Sequence, residues 1–155
     1  MPRRETKTRV PFTPAQMFDL VADVESYPSF IPWCQALRII SRPDSEQKGV
    51  ERYLADMVVG FRLFREQFRS DVLLNKDEKL IDTRYVRGPM RHMRNQWRFE
   101  DDGKGGAIVK FEIDFSFKNP LLQGAAQTFF DEAFSKMASA FEKRAHEVYG
   151  SQKPI

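Results

Sequence analysis

Few side chains in this chain of 155 residues are equipped for covalent or proton chemistry. There is one cysteine, Cys34, and there are two histidines, His92 and His146. A thiol nucleophile needs a partner that lowers its pKa, and Cys34 follows Trp33 with no histidine nearby, so it reads as a small buried hydrophobe. His92 lies on the polar phase of an alternating segment, among arginines, as a solvated residue would. His146 falls near the C-terminus of the last apolar-periodic segment, where a helix dipole favours a cation. Glu66, in phase with Phe64 and Phe68, is the one carboxylate placed to point inward and is the weak candidate for an acid or base. The run Gly103-Lys104-Gly105-Gly106 lacks the pattern of a phosphate loop and reads as a hairpin turn. One cysteine and two scattered histidines make no structural zinc site. The expectation is a chain with no catalytic residues and no metal.

Two other constellations carry more information. Five arginines, Arg84, Arg87, Arg91, Arg94 and Arg98, occur without an intervening acid. Guanidinium groups bind phosphate bidentately, so Arg87, Arg91, Arg94 and Arg98 are candidates for contact with an anionic surface, lipid headgroups or ribosomal RNA. The alternative is the solvated outer face of a sheet. The second constellation is Val24–Cys34, V-E-S-Y-P-S-F-I-P-W-C, which sets Tyr27, Phe30, Ile31 and Trp33 around two prolines. No charge occurs from Ser26 to Leu37. Such a segment either plugs a core or borders an apolar cavity or a membrane.

The elements that must position these residues follow from periodicity. Residues 4–10 read as a first strand, and Thr13-Pro14 as the cap and first turn of a helix through Ala15, Phe18, Val21 and Ala22. The aromatic-proline segment reads as a short helix or tight loop. Leu37, Ile39 and Ile40 make a short strand. Glu51–Val59 alternates with Tyr53, Ala55, Met57 and Val59 on one face, and Gly60 marks a turn or bulge. Phe61–Leu74 continues with Phe64, Phe68, Val72 and Leu74 on one face. Lys79–Arg87 ends at Gly88-Pro89, and Met93, Asn95, Trp97 and Phe99 share a phase in the next strand. After the turn at 101–106, Val109, Phe111, Ile113, Phe115 and Phe117 give the cleanest alternation in the chain. Asn119-Pro120 opens a helix to about Tyr149 with a broad apolar stripe that includes Phe129, Phe130, Phe134 and Phe141. Consecutive strands with short turns imply an antiparallel meander, and the last helix is the element large enough to cover its apolar face. The expected fold class is α+β, a curved antiparallel sheet around a long C-terminal helix.

Composition narrows the function classes. A length of 155 residues suits one domain, and 41% hydrophobic with 30% charged residues is ordinary for a globular protein. One cysteine excludes an internal disulfide. The charged N-terminus lacks the apolar core of a secretory signal or the character of a transit peptide. The longest uncharged runs, residues 26–37 and 119–130, fall short of the roughly 20 residues that span a bilayer. A net charge of +3 does not by itself argue for nucleic acid. The chain also holds 14 Phe, 2 Trp and 4 Tyr. A sheet curved around one helix leaves a space unless side chains fill it. Tyr53, Met57, Phe64, Phe68, Trp97, Phe99, Phe111, Phe115, Phe129 and Phe134 are positioned to line that space or simply to pack in it. Binding pockets are themselves mostly apolar, so composition leaves both readings open. Asn95, in phase with Trp97, is a candidate for an orienting hydrogen bond inside, or for a surface position on a twisted strand.

The blocks V-E-S-Y-P-S-F-I-P-W-C, V-V-G-F at 58–61, R-G-P-M at 87–90, N-Q-W-R-F at 95–99 and F-K-N-P-L at 117–121 occur in that order, followed by F-F-D-E-A-F and F-E-K-R-A. Together they resemble the coenzyme-Q-binding branch of the START-domain superfamily, over residues 3 to about 148. Bacterial relatives there carry the labels polyketide cyclase/dehydrase-like or ribosome-association toxin. Met90 stands where that family usually has Phe, a replacement of an aromatic ring by a flexible thioether. The resemblance implies a START/Bet v 1-like helix-grip fold in one lipid-binding domain, residues 3–149, with 150–155 as a loose tail. It implies a non-catalytic protein that binds an isoprenoid quinone, coenzyme Q or a precursor, as a ligand rather than a cofactor, in support of respiration or quinone biosynthesis. On this reading Tyr27, Phe30, Ile31, Trp33, Tyr53, Met57, Phe64, Phe68, Asn95, Trp97, Phe115, Phe129 and Phe134 surround the ligand, with Phe30, Ile31 and Trp33 as rim or gate. A cytoplasmic bacterial protein touching the inner membrane would fit. The alternative is a ribosome-binding inhibitor of subunit association. A polyketide cyclase is a third reading, resting on superfamily naming.

Overall fold

Alternation through the middle of the chain becomes six consecutive strands, and the first strand joins them in one antiparallel sheet. A computed structural model describes residues 3–43, 48–61 and 64–150. The strands are β1 (Arg3–Val10), β2 (Cys34–Ser41), β3 (Val50–Phe61), β4 (Phe64–Asn75), β5 (Leu80–Arg87), β6 (Met90–Asp101) and β7 (Ala107–Phe117). Their order is β1-β7-β6-β5-β4-β3-β2. Two helices, α1 (Pro14–Ala22) and α2 (Pro120–Tyr149), and a 3-10 helix (Val24–Ser29) complete the fold. This is the expected α+β arrangement, a seven-stranded antiparallel sheet with a C-terminal helix. Of the tail expected to be loose, 150–155, Gly150 caps α2 with its amide donating to His146 O, and 151–155 lie outside the described residues.

Local chemistry sets the helix starts. Thr13 accepts from the Gln16 amide at 3.1 Å while Gln16 Oε1 accepts from the Thr13 amide at 2.9 Å, a reciprocal cap that leaves Pro14 at the position needing no donor. Asn119 caps α2 with a single bond, accepting from the Leu121 amide at 2.8 Å, with Pro120 next. The 3-10 helix tolerates Pro28 in its interior because it is a single short piece.

The packing is uneven along α2. Its buried residues are Met137, Phe141 and Ala145, all in the C-terminal half at helical spacing. Tyr149 Oη donates to Gln16 O at 2.9 Å, which ties that half to α1. In turn α1 buries Met17, Phe18, Leu20 and Val21, and the Phe18 ring meets Phe99 edge-on at 6.0 Å. The N-terminal half of α2 crosses the concave face of the sheet without burying a residue completely. A gap therefore remains beneath it.

Two boundaries differ from the expectation. β2 begins at Cys34 rather than Leu37, because Cys34 pairs with Val59 and the Gly60 amide donates to Trp33 O at 2.8 Å. Gly60 is no turn or bulge. It lies inside β3, paired with Arg65, and a Cβ there would meet the end of the flexible Gln35 side chain, which would have to move aside.

Gly88 is the glycine that a turn does require. Its φ is +145°, and a Cβ would lie 2.7 Å from Phe68 Cβ. Gly88→Ala is expected to lower stability by about 1–3 kcal/mol, read as a drop in the urea midpoint at unchanged slope. A shift under 0.5 kcal/mol, roughly the spread for neutral surface changes, would contradict this account.

Candidate functional site

The gap under α2 is a cavity of about 540 Å³ lined from every layer of the fold. That volume falls in the range of small-molecule pockets, roughly 300–1,000 Å³. Its floor is the inward phase of β3 to β7, its roof the apolar stripe of α2, and its end wall the aromatic-proline segment. Among the described residues, none that lines it is charged.

The end wall answers the plug-or-border question for each residue separately. Ile31 is buried and lines the cavity. Trp33 lines it too, and its Nε1 donates to Ala133 O of α2 at 3.0 Å, a link across 100 positions of sequence. Tyr27 lines it with its hydroxyl donated to Val21 O. Phe30 does not line the cavity. It packs behind the wall, edge-on to Tyr27 at 6.0 Å and to Phe141 at 5.3 Å, with the Arg144 guanidinium 5.4 Å from its ring centre. The segment is thus a latch that holds α2 as well as a border.

Of the remaining expected residues, Met57, Phe68, Asn95, Trp97, Phe115, Phe129 and Phe134 line the cavity. Tyr53 does not, although it shares the phase of Met57. It is buried beneath α1, in a second cleft with Phe18 and Ala22, and Arg42 lies 5.6 Å from its ring centre. Phe99 is likewise taken by α1. The side chain of Phe64 lies outside the described residues. The sequence reading passed over Ser70, Thr83, Met90, Met93 and Phe130, all of which line the cavity. Phe130 stacks on Phe115 at 5.2 Å and on Phe134 at 5.7 Å, and the α2 stripe already contained it. Ser70 and Thr83 were detectable only as inward-phase residues, because their side chains are small and polar.

The groups with chemical potential stay outside the cavity or are quenched. Glu66 is half-buried and does not line it. Cys34 is 3% exposed, and burial pushes its thiol pKa up to about 11. At pH 8 the thiol is therefore protonated. Labelling of native protein by a thiol-reactive disulfide is expected to be slow, at least 100-fold slower than after denaturation. Fast native labelling would mean that the β2 edge opens. His92 keeps its place on the solvent side, its side chain 37% exposed, and pairs there with Asp114 at 3.1 Å. Among the described residues, no three His, Cys, Asp or Glu side chains converge as a metal centre.

The arginine run is less bare than its sequence suggests, because one acid, Asp82 of β5, serves Arg84 on its own strand and Arg94 on β6. Asp82, 7% exposed, receives Arg94 at 3.3 and 3.4 Å and Arg84 at 3.4 Å. Nearby, Arg52 forks onto Asp71 at 2.9 and 2.8 Å, and Arg69 onto Asp56 at 2.8 and 3.1 Å. The Arg69 bonds hold the Asp56 carboxyl below the usual carboxylate range. Arg98 donates to Gln96 at 3.3 Å, and Arg87 and Arg91 are exposed.

A family model described as polyketide cyclase / dehydrase and lipid transport matches residues 10–142. The chain belongs to that family. Within it, a ribosome association toxin, RatA, of Rickettsia prowazekii is 35% identical over 142 residues, covering 90% of this chain and 92% of that protein. A mitochondrial coenzyme Q-binding protein, COQ10 homolog B, of Xenopus laevis is 34% identical over 151 residues, covering 92% of this chain and 57% of its own length. This chain therefore spans little more than half of that second relative. The structure of a START superfamily protein from Mycobacterium smegmatis superposes with a TM-score of 0.78 at 17% identity, over 94% of this chain and 98% of that one. At that identity the likeness concerns the fold, which is START-like. Among the described residues no helix of this family member is long and apolar enough to cross a membrane.

Proposed function

We propose that this protein is a non-catalytic binder of an isoprenoid quinone, coenzyme Q or a precursor, held in the cavity under α2 in support of respiration or quinone biosynthesis. The observation that carries this reading is the 540 Å³ cavity with no charged lining residue among those described. An apolar tail buried there gains about 25 cal/mol per Å² of surface removed from water, enough to supply most of the affinity without chemistry. The coenzyme Q-binding relative supports the same ligand class. The protein would work in the cytoplasm and meet the inner membrane at its periphery to collect its ligand.

Purified protein, extracted with organic solvent and examined by mass spectrometry, is expected to release a stoichiometric quinone. Trp33 and Trp97 line the cavity, so decylubiquinone is expected to quench their fluorescence. No extracted quinone and no quenching would remove the reading.

A second reading has an observation of its own, the 35% identical ribosome association toxin. On it, the exposed Arg87, Arg91 and Arg98 would contact ribosomal phosphates. Co-sedimentation with ribosomal subunits should then weaken with salt and with Arg91→Glu and Arg98→Glu. Arg94 is a poorer choice for that test, since reversing it would leave Asp82 without its fork. A cyclase role would need turnover that falls with Glu66→Gln.

A further inference from the structure

The cavity wall is apolar except along one line. Leaving the indole rings aside, its polar side chains are Tyr27, Ser70, Thr83 and Asn95, and the Tyr27 hydroxyl is engaged with Val21 O. The other three stand on three adjacent strands. Thr83 of β5 lies directly opposite Asn95 of β6. Val72 of β4 lies opposite Thr83, and Ser70 opposite Tyr85, so Ser70 is the diagonal neighbour of Thr83. Directly opposed side chains sit about 5 Å apart and diagonal ones about 7–8 Å. At the same level the line is bounded by Ala55, opposite Ser70, and Ile113, opposite Asn95. A polar stripe about two strand spacings long thus crosses the middle of a greasy floor.

Such a stripe needs an explanation. Polar groups turned into an apolar cavity cost stability unless they are hydrogen-bonded. Ser70 is 6% exposed, so bulk water does not solvate it. The hydrogen bond shown for the Asn95 side chain runs from Nδ2 to the Met93 sulfur at 3.6 Å, a weak acceptor that leaves most of the amide's capacity unspent. The three side chains can donate and accept, and none carries charge.

We infer that Ser70, Thr83 and Asn95 form a hydrogen-bonding site for the neutral, oxygen-bearing head of the cavity's ligand. The chemical class is a ring carrying ketone or hydroxyl oxygens on opposite sides, as in a quinone or hydroquinone. One oxygen meets Asn95 and Thr83, the other Ser70, and the tail takes the remaining apolar surface. Carboxylate and phosphate heads are disfavoured, because no cation lines the cavity among the described residues. The inference rests on the lipid-binding reading above and adds the position and chemistry of the head.

The test compares two probes of equal tail length, decylubiquinone and decylbenzene, by titration calorimetry on the wild type and on S70A/T83V/N95L. Wild type is expected to bind the quinone more tightly. The triple variant should lose about 10- to 100-fold for decylubiquinone and change less than threefold for decylbenzene. The infrared C=O stretch of bound quinone should move to lower frequency in wild type and return toward its hydrocarbon-solvent value in the variant. If the triple variant fails to fold, the isosteric Thr83→Val carries the infrared comparison alone. Equal losses for both probes, equal quinone affinity in both proteins, or an unshifted C=O band would overturn the head site while leaving lipid binding intact. Failure of wild type to bind either probe would instead overturn lipid binding and the head site with it.

Discussion

Phe141→Ala is expected to lower stability by about 3–5 kcal/mol, the range for emptying a buried aromatic site. Phe141 is 4% exposed, and its ring meets Tyr27, Phe30 and Trp97 edge-on, each at 5.3 Å between centres. It is therefore the point at which α2, the 3-10 helix segment and β6 hold one another. Removing it takes away buried apolar area and three edge-to-face contacts. Phe141 also lines the cavity, so its removal enlarges that space. A domain of this size has only about 5–15 kcal/mol in total, so the variant should be marginal at 37 °C. Urea unfolding should show a lower midpoint at constant slope. Leu121→Ala, at 83% exposure on the same helix, should stay within about 0.5 kcal/mol. Similar effects at both positions would mean that the C-terminal half of α2 is not the anchored half.

Ala55→Phe combined with Ala126→Phe is expected to reduce quinone binding more than 100-fold while leaving the protein folded. Ala55 lines the cavity from β3 and Ala126 from α2. Two added rings would occupy space that a ligand tail needs. Overpacking a filled core costs about 1–3 kcal/mol, but a 540 Å³ cavity can accept rings without forcing its walls apart. Stability should therefore change by less than about 2 kcal/mol in either direction, and added burial can raise it. Calorimetric titration with decylubiquinone and a thermal melt, run on the same sample, separate the two quantities. Unchanged binding would place the ligand elsewhere. Loss of folding would show that the cavity is narrower in solution than its lining suggests.

The period-2 pattern identified which side of each strand faces inward, and those assignments hold for β3, β6 and β7 and for Phe68, Val72 and Leu74 of β4, though not for Glu66. It did not tell where along a strand a residue sits. Tyr53 and Met57 share a phase, yet α1 covers the first and the cavity opens over the second. Phe99 and Trp97 divide in the same way. The arginine run contains no acid, and Asp82, two residues ahead of Arg84, reaches Arg94 only through the pairing of β5 with β6. Phe30 looked like a gate because its local chemistry matches that of Ile31 and Trp33; its packing against Phe141 depends on the C-terminal half of α2.

By itself the sequence determined the caps at Thr13 and Asn119, the faces of the strands, the long amphipathic helix and the family blocks. All of these are set by interactions within a few residues, which periodicity and turn chemistry record. Tertiary structure decided that the aromatics enclose a space instead of filling one. That outcome depends on how high α2 rides over the sheet, which the Trp33–Ala133 hydrogen bond and the packing of Met137, Phe141 and Ala145 hold in place. Those contacts join residues about a hundred positions apart, and no local pattern encodes the distance between two apolar faces.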